Sequence, residues 1–438
     1  MKINLIHKNI AILWYWKEWA STLRFLQKNW IKDFNITILD KNLDLKIENF
    51  SGKIVSWEKY LDTIWEYDYI FKSPWISPYT NNLKKYNDKI LTQAKLFFDY
   101  YKWKIISITQ TKWKSTTTTL VYNLLKNAWY NVKIVWNIWN PVLDEIDIFW
   151  DNYDFVVYEL SSYMLEELSN HHSFISILWN IFEDHLDWHN WFENYKKAKL
   201  NILNNADNLL IWSILEKNIL KNLQWKEYKT FWTDWFYHFE NKDFYIWKKI
   251  FSKNINPKIL WEHNLINFSW VLWVCDILNI SPEVFEKTIN DFDWLPHRLQ
   301  NIWNYLWVTF VDDAISTTPE STIEAIKTFW NGIWTIFLWG TDRWYHFEKL
   351  ILELEKYSIK NIVLFPESSE KIKKLLDNTY NFIETTSMKD AVEFAFKNTQ
   401  NWKICLLSTA SPSYSIWKNF EEKWDIFKSE IINYKNSK

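Results

Sequence analysis

A chain of 438 residues with a formal net charge of −2 is long enough for two or three domains, each with its own core. It offers no strongly basic surface for nucleic acid or an anionic membrane. With no run reaching the roughly 18 apolar residues of a membrane span and no cleavable N-terminal signal pattern, a cytosolic protein is expected.

The first predicted strand, IAIL, runs into LWYWKEW (13–19), which sets Trp14, Trp16 and Trp19 at the spacing G-x-G-x-x-G. A helical pattern, ASTLRFLQKN, and a strand, NITILD, follow, ending at Asp40, some 21 residues beyond Trp19. A dinucleotide-type loop needs bare backbone at those three positions, to turn tightly and approach a diphosphate. Trp30 and Trp129 close the helical patterns LQKNW and LLKNAWY, where a left-handed cap is usual.

Tryptophan thus stands where chain geometry asks for glycine. The counts agree: 3 glycines against 34 tryptophans, where a frequency of roughly 7% would give about 30 glycines. We read most tryptophan letters as glycine, the pattern left when UGA codons of a bacterial lineage that decodes them as glycine are translated as tryptophan. A literal Trp-rich chain would instead be a non-catalytic binding protein that stacks sugars or bases. Trp188 and Trp417 sit where an aromatic residue is acceptable.

The next apolar run, IISI, leads into TQTKWKSTT (109–117) and a helical pattern, the strand–loop–helix arrangement of a triphosphate loop. With glycine at 113, backbone N–H groups can face phosphate oxygens. Lys114 then neutralises the β- and γ-phosphates, and Ser115 offers its hydroxyl to Mg2+. Thr109, Thr111, Lys112 and Thr116 complete the predicted nucleotide-triphosphate loop. A metal-bound phosphate calls for a carboxylate at a neighbouring strand end, and Glu159 follows the apolar FVVY. NIFEDHLDWHNWFENYKKAK (180–199) gathers Glu183, Asp184, His185, Asp187 and His189, a density suited to a second Mg2+. His189 reads as a capping or supporting residue, and spacing alone gives Lys199 no role.

Beyond DFDWLPHR, the stretches VTFVDDA, TIFLWGTDR, NIVLFPE and KICLLSTA predict four further strands. Alternation of strand and helix throughout argues for an α/β protein with parallel sheets, divided as 1–94, 95–294 and 295–438. Cys275 and Cys405 lie far apart in apolar surroundings and are expected to be reduced core residues.

Taken in order, SITQTKWKSTTTTL, VWNIWNPVL, YELSSYMLE, NIFEDHLDWH, YKKAK, LWEHNLINF, DWLPHRLQ, LWGTDRW and KNFEEKWDIF resemble the Mur ligase family over essentially the whole chain. The resemblance implies three domains: a Rossmann-like UDP-sugar-binding domain, a central P-loop ATPase-type domain, and a C-terminal Rossmann-like domain that takes glutamate. It implies an ATP- and Mg2+-dependent ligase of peptidoglycan synthesis, acting as a monomer, that adds D-glutamate to UDP-N-acetylmuramoyl-L-alanine through an acyl phosphate. By resemblance, Lys114, Ser115, Glu159 and His185 serve ATP and metal, and Lys199 is the lysine that the family carbamylates. Asn264 contacts adenine, and His297, Arg298 and Asp313 close on ATP. Asp40, Ser73 and Asn137 hold the UDP-sugar, and Thr317, Arg343, Ser413 and Phe420 form the glutamate pocket.

Three departures stand out. Gln110 replaces a loop glycine, Ile315 a lysine, and Arg343 the pocket's usual lysine. They leave open a ligase that adds L-glutamate, or another amino-acid or folylpolyglutamate ligase. An oxidoreductase built on the first fingerprint would leave the phosphate loop unexplained.

Overall fold

The computed structural model describes residues 3–437 except 14–16, 30–34, 43–45, 57–60, 75, 80–82, 112, 137–139, 169–170, 213–227, 232–236, 241–242, 247–248, 254, 256–261, 294–298, 315, 317, 330–331, 341–344, 412–415 and 418–419. The chain divides into two compact units, Met1–Phe292 and Asp293–Lys438.

The first unit begins with a parallel sheet ordered β3-β2-β1-β4-β5, made of β1 (Ile10–Leu13), β2 (Ile36–Asp40), β3 (Lys53–Ser56), β4 (Tyr69–Phe71) and β5 (Ile90–Leu91). Its central strand β1, IAIL, is apolar throughout because both faces are covered. α1 (Lys17–Lys28) packs Trp19, Leu23 and Leu26 into the same core as Ile10, Ile12 and Phe71. α2 (Gln93–Tyr100), capped by the Thr92 side chain, leads into the second sheet.

That sheet, ordered β11-β10-β9-β6-β8-β7, contains β6 (Lys104–Thr109), β7 (Val132–Val135), β8 (Phe155–Glu159), β9 (Ser173–Leu178), β10 (Ala206–Trp212) and β11 (Tyr228–Phe231), all parallel. α3 (Lys114–Asn127) follows β6, and α4 (Val142–Glu145) follows β7. α5 (Ser162–Glu166) follows β8, while α6 (Leu186–His189) and α7 (Phe192–Leu200) follow β9. The long helix α8 (Glu262–Leu278) packs on α3.

An antiparallel sheet absent from the sequence reading, β12 (Tyr237–Glu240), β13 (Asp243–Ile246) and β14 (Lys249–Ser252), joins this unit against α8. Its strands are four residues each, too short for alternation to stand out.

The second unit holds a sheet ordered β15-β16-β20-β17-β18-β19. The four expected strands are β16 (Val308–Asp312), β17 (Ile333–Trp339), β18 (Asn361–Leu364) and β20 (Ile404–Ala410); β15 (Gln300–Tyr305) and β19 (Asn381–Glu384) are additional. β15 pairs antiparallel with β16, and the other pairs are parallel. Cys275 and Cys405 are buried and reduced. Among the described residues, no helix is long and apolar enough to cross a membrane.

The backbone bears directly on the tryptophans. Trp113, Trp129, Trp307 and Trp402 all have positive φ, at 66°, 64°, 72° and 66°, a region that costs an L-residue with a Cβ roughly 1–2 kcal/mol. Trp129 ends α3 in a Schellman arrangement, with the Tyr130 N–H donating to the Leu125 carbonyl at 3.1 Å, where glycine is the usual occupant. Leu306 and Trp307, both at positive φ, form the two-residue connection between β15 and β16, a type I′ requirement. Among the described residues, the indole N–H groups of Trp103, Trp273 and Trp339 are buried without an acceptor, which is unfavourable for a donor removed from water. Trp19 differs: it is helical and packs as core. Trp14, Trp16 and Trp30 lie outside the described residues.

Candidate active site

The loop between β6 and α3 lies at the carboxyl end of a central parallel strand, where open α/β sheets bind ligands. Trp113 is its left-handed residue and the N-cap of α3, and its indole stacks on Trp179 with centroids 4.8 Å apart. Lys114 folds back so that its ammonium donates to the carbonyls of Gln110 (3.0 Å) and Thr111 (3.3 Å). Ser115 and Thr116, in the first turn of α3, are buried. Lys112 lies outside the described residues.

Lys199, on α7, reaches the same loop from below. Fully buried, it donates to Thr109 Oγ1 and to the Gln110 carbonyl, both at 3.1 Å. Two ammonium groups therefore converge on the Gln110 carbonyl in the β6–α3 loop. Thr109 Oγ1 in turn donates to the Leu160 carbonyl at 2.7 Å. Thr111 is held by Asn180, whose side-chain oxygen accepts its N–H at 2.9 Å, and its hydroxyl lies 2.7 Å from that of Tyr195.

Glu159 ends β8 in register with Ile108 of β6. It is buried, and among the described residues its Oε2 has no hydrogen-bond partner. A desolvated carboxylate oxygen left in this way, one strand from the loop that carries Ser115, fits a divalent cation. His185 caps α6 at positive φ (54°). Its Nδ1 lies 2.6 Å from the Tyr163 hydroxyl and its Nε2 3.7 Å from the Asp184 carboxylate. His189 is buried beside it with Nε2 3.0 Å from Ser162 Oγ. Burial, followed by the neighbouring His185, pulls the His189 imidazole down to about 3, so it stays neutral. Asn180, Tyr163 and Tyr195 escaped the sequence reading as site residues, although Asn180 opens the quoted acidic stretch and Tyr163 lies in YELSSYMLE.

At the first sheet, Asp40 ends β2 and accepts the Asn42 N–H at 2.8 Å. The Ser73 hydroxyl donates to Glu18 in the first turn of α1 at 3.0 Å. Burial pushes the Glu18 carboxyl up to about 7 against the opposing pull of Ser73 and Lys72. Lys72 is fully buried 3.3 Å from Glu167. Ser77 donates to the Trp188 carbonyl (2.6 Å) and Tyr79 to Glu166 (2.9 Å), fastening this segment to the second sheet. Asn137 lies outside the described residues.

In the second unit, Asp313 follows β16 and accepts from the hydroxyls of Ser316 and Ser408. Lys423, fully buried on the C-terminal helix Phe420–Asn436, donates to the Ala314 carbonyl at 2.9 Å. Phe420 opens that helix. His297, Arg298, Thr317, Arg343 and Ser413 lie outside the described residues, as does Ile315, and Asn264 is placed only as a residue of α8.

Comparison with known proteins agrees with this geometry. Residues 108–267 match the Mur ligase middle domain. The chain is 31% identical over 451 residues to the UDP-N-acetylmuramoylalanine–D-glutamate ligase of Buchnera aphidicola, covering 98% of each chain. It is 28% identical to the same enzyme of Clostridioides difficile, over 99% of this chain and 100% of that one. Its fold is similar to that of the MurF ligase of Thermotoga maritima solved with ADP, with a TM-score of 0.61 at 15% identity over 97% of this chain and 95% of that one. With a phosphate loop gripped by two lysines and full-length likeness at this level, the chain belongs to the UDP-N-acetylmuramoylalanine–D-glutamate ligase family of the Mur ligases.

Proposed function

We propose that this chain joins D-glutamate to UDP-N-acetylmuramoyl-L-alanine in an ATP-dependent step of peptidoglycan synthesis. The convergence of Lys114 and Lys199 on the phosphate loop, one strand from the buried Glu159, carries the reading. The γ-phosphoryl group passes to the terminal carboxylate of the alanyl substrate, releasing ADP. The glutamate amine then attacks the acyl phosphate, loses a proton, and phosphate leaves. Two anions approach in the first step, so the ammonium of Lys114 does its work by offsetting the charge between them.

Ser115, Glu159 and His185, with a carbamylated Lys199, would hold Mg2+, which supplies further neutralisation of phosphate charge. Tyr163 orients His185 through Nδ1. We assign residues 1–94, with Asp40 and Ser73, to the UDP-sugar, 95–294 to ATP, and 295–438 to glutamate. Asn264, His297, Arg298 and Asp313 are assigned to ATP, Asn137 to the sugar, and Thr317, Arg343, Ser413 and Phe420 to glutamate. Glycine at 113 belongs to this reading, because the left-handed backbone there suits a residue without a side chain.

The test is phosphate release from ATP by protein carrying glycine at the left-handed positions. Release should require both UDP-N-acetylmuramoyl-L-alanine and D-glutamate. Release with folate and glutamate, or with L-glutamate in preference to D-glutamate, overturns the substrate assignment.

A further inference from the structure

Gln110 stands where the Mur ligases that the chain resembles ordinarily carry a loop glycine, and no role in the reaction follows from that substitution. It is fully buried. Its side-chain Nε2 donates to Thr117 Oγ1 at 2.8 Å, on α3, and the Thr117 hydroxyl donates to Asn267 Oδ1 at 2.8 Å, on α8. A hydroxyl has one proton, which Thr117 can give to Asn267 Oδ1 at 2.8 Å or to the Trp113 carbonyl at 3.3 Å, and it accepts from Gln110 in either case. The main-chain carbonyl of the same glutamine receives Lys114 and Lys199. Among the described residues, Gln110 Oε1 is buried with no hydrogen-bond partner.

One residue thus grips both lysines beneath the phosphates with its backbone and reaches α8 with its side chain. Asn264, assigned to adenine, lies on α8 one turn before Asn267. We propose that Gln110 is a positioning residue that couples the phosphate loop to the base-reading helix through Thr117 and Asn267, so that base and triphosphate are held as one rigid unit. Glycine at 110 would keep the carbonyl contacts of that residue and lose its link to α8. The inference rests on the ATP site proposed above.

Calorimetric binding of ATP and GTP to protein carrying glycine at 113 tests it without ligase turnover. Q110G and T117V should each weaken ATP about five- to tenfold, the scale of one buried hydrogen bond, and should lower the preference for ATP over GTP. T117S, which keeps the hydroxyl, should bind as the unsubstituted protein does. The double variant Q110G/T117V should be no weaker than either single one, because both break the same chain. Unchanged ATP affinity in Q110G, losses that multiply in the double variant, or equal losses for ATP and GTP would overturn the coupling. If the unsubstituted protein binds ATP but releases no phosphate with its two substrates, the ligase reading falls while the coupling is still decided. Failure of that protein to bind ATP overturns both.

Discussion

Lys199 Nζ and the Gln110 carbonyl are 3.1 Å apart although 89 residues separate them in sequence. The contact fastens α7 to the β6–α3 loop and holds the Lys199 side chain there, where the proposed carbamate would face the metal. Replacing Lys199 by Ala should lower kcat by about 10²–10³-fold, the scale for removing one preorganised charge-stabilising group. Steady-state kinetics with all three substrates checks this, with circular dichroism confirming that the fold persists.

Glu159 offers a different handle, because its orphaned oxygen is the strongest local signal for a cation. Glu159→Gln should reduce kcat by about 10²-fold or more and raise the Mg2+ concentration needed for half-maximal rate. A magnesium titration of both proteins reads the shift.

Peptide sequencing by mass spectrometry across residues 105–131 of the natural protein should find glycine at 113 and 129. The same digest should give glycine at 307 and 402, where the backbone is also left-handed. Tryptophan at 113 would leave an indole stacked in the cradle and predicts no measurable ATP binding.

Lys423 makes stability depend on pH. Burial pulls its ammonium from 10.5 down to about 7, with Asp312 and Asp313 opposing. A lysine depressed on folding binds fewer protons folded than unfolded between those two values. Its unfavourable charge is therefore present in full below pH about 7 and is relieved as pH rises toward 10.5. Denaturant unfolding at pH 7 and pH 9 should show the wild type gaining on Lys423→Met over that window. A pH-independent difference between the two proteins would mean that Lys423 keeps an ordinary pKa.

The parts of the candidate site that were legible in the sequence are those that local spacing encodes. β6, the loop, Lys114 and Ser115 sit within a dozen residues, and Glu159 marks the end of an apolar strand. The expected cap at Trp129 could be read for the same reason: a helix end dictates its own backbone. Asn180, Tyr163 and Tyr195 were not legible as partners, since each meets its loop or histidine only after the strands align. The Gln110–Thr117–Asn267 chain spans two helices and could not be foreseen from a glutamine that merely broke a pattern. β12–β14 were missed because four-residue strands carry too little periodicity.

The paired surface turns at 307 and 402, whose tryptophan rings sit 4.6 Å apart, lie in the second unit and outside the phosphate loop. On the decoding proposed here, a host that reads UGA as tryptophan would burden these corners as well as the nucleotide site. Such a gene, carried into a bacterium that reads UGA as a stop, would yield only truncated peptides, ending near residue 14 where the first such codon falls. The molecule would then be legible only to its own ribosomes, and borrowing it by gene transfer would bring the recipient no benefit.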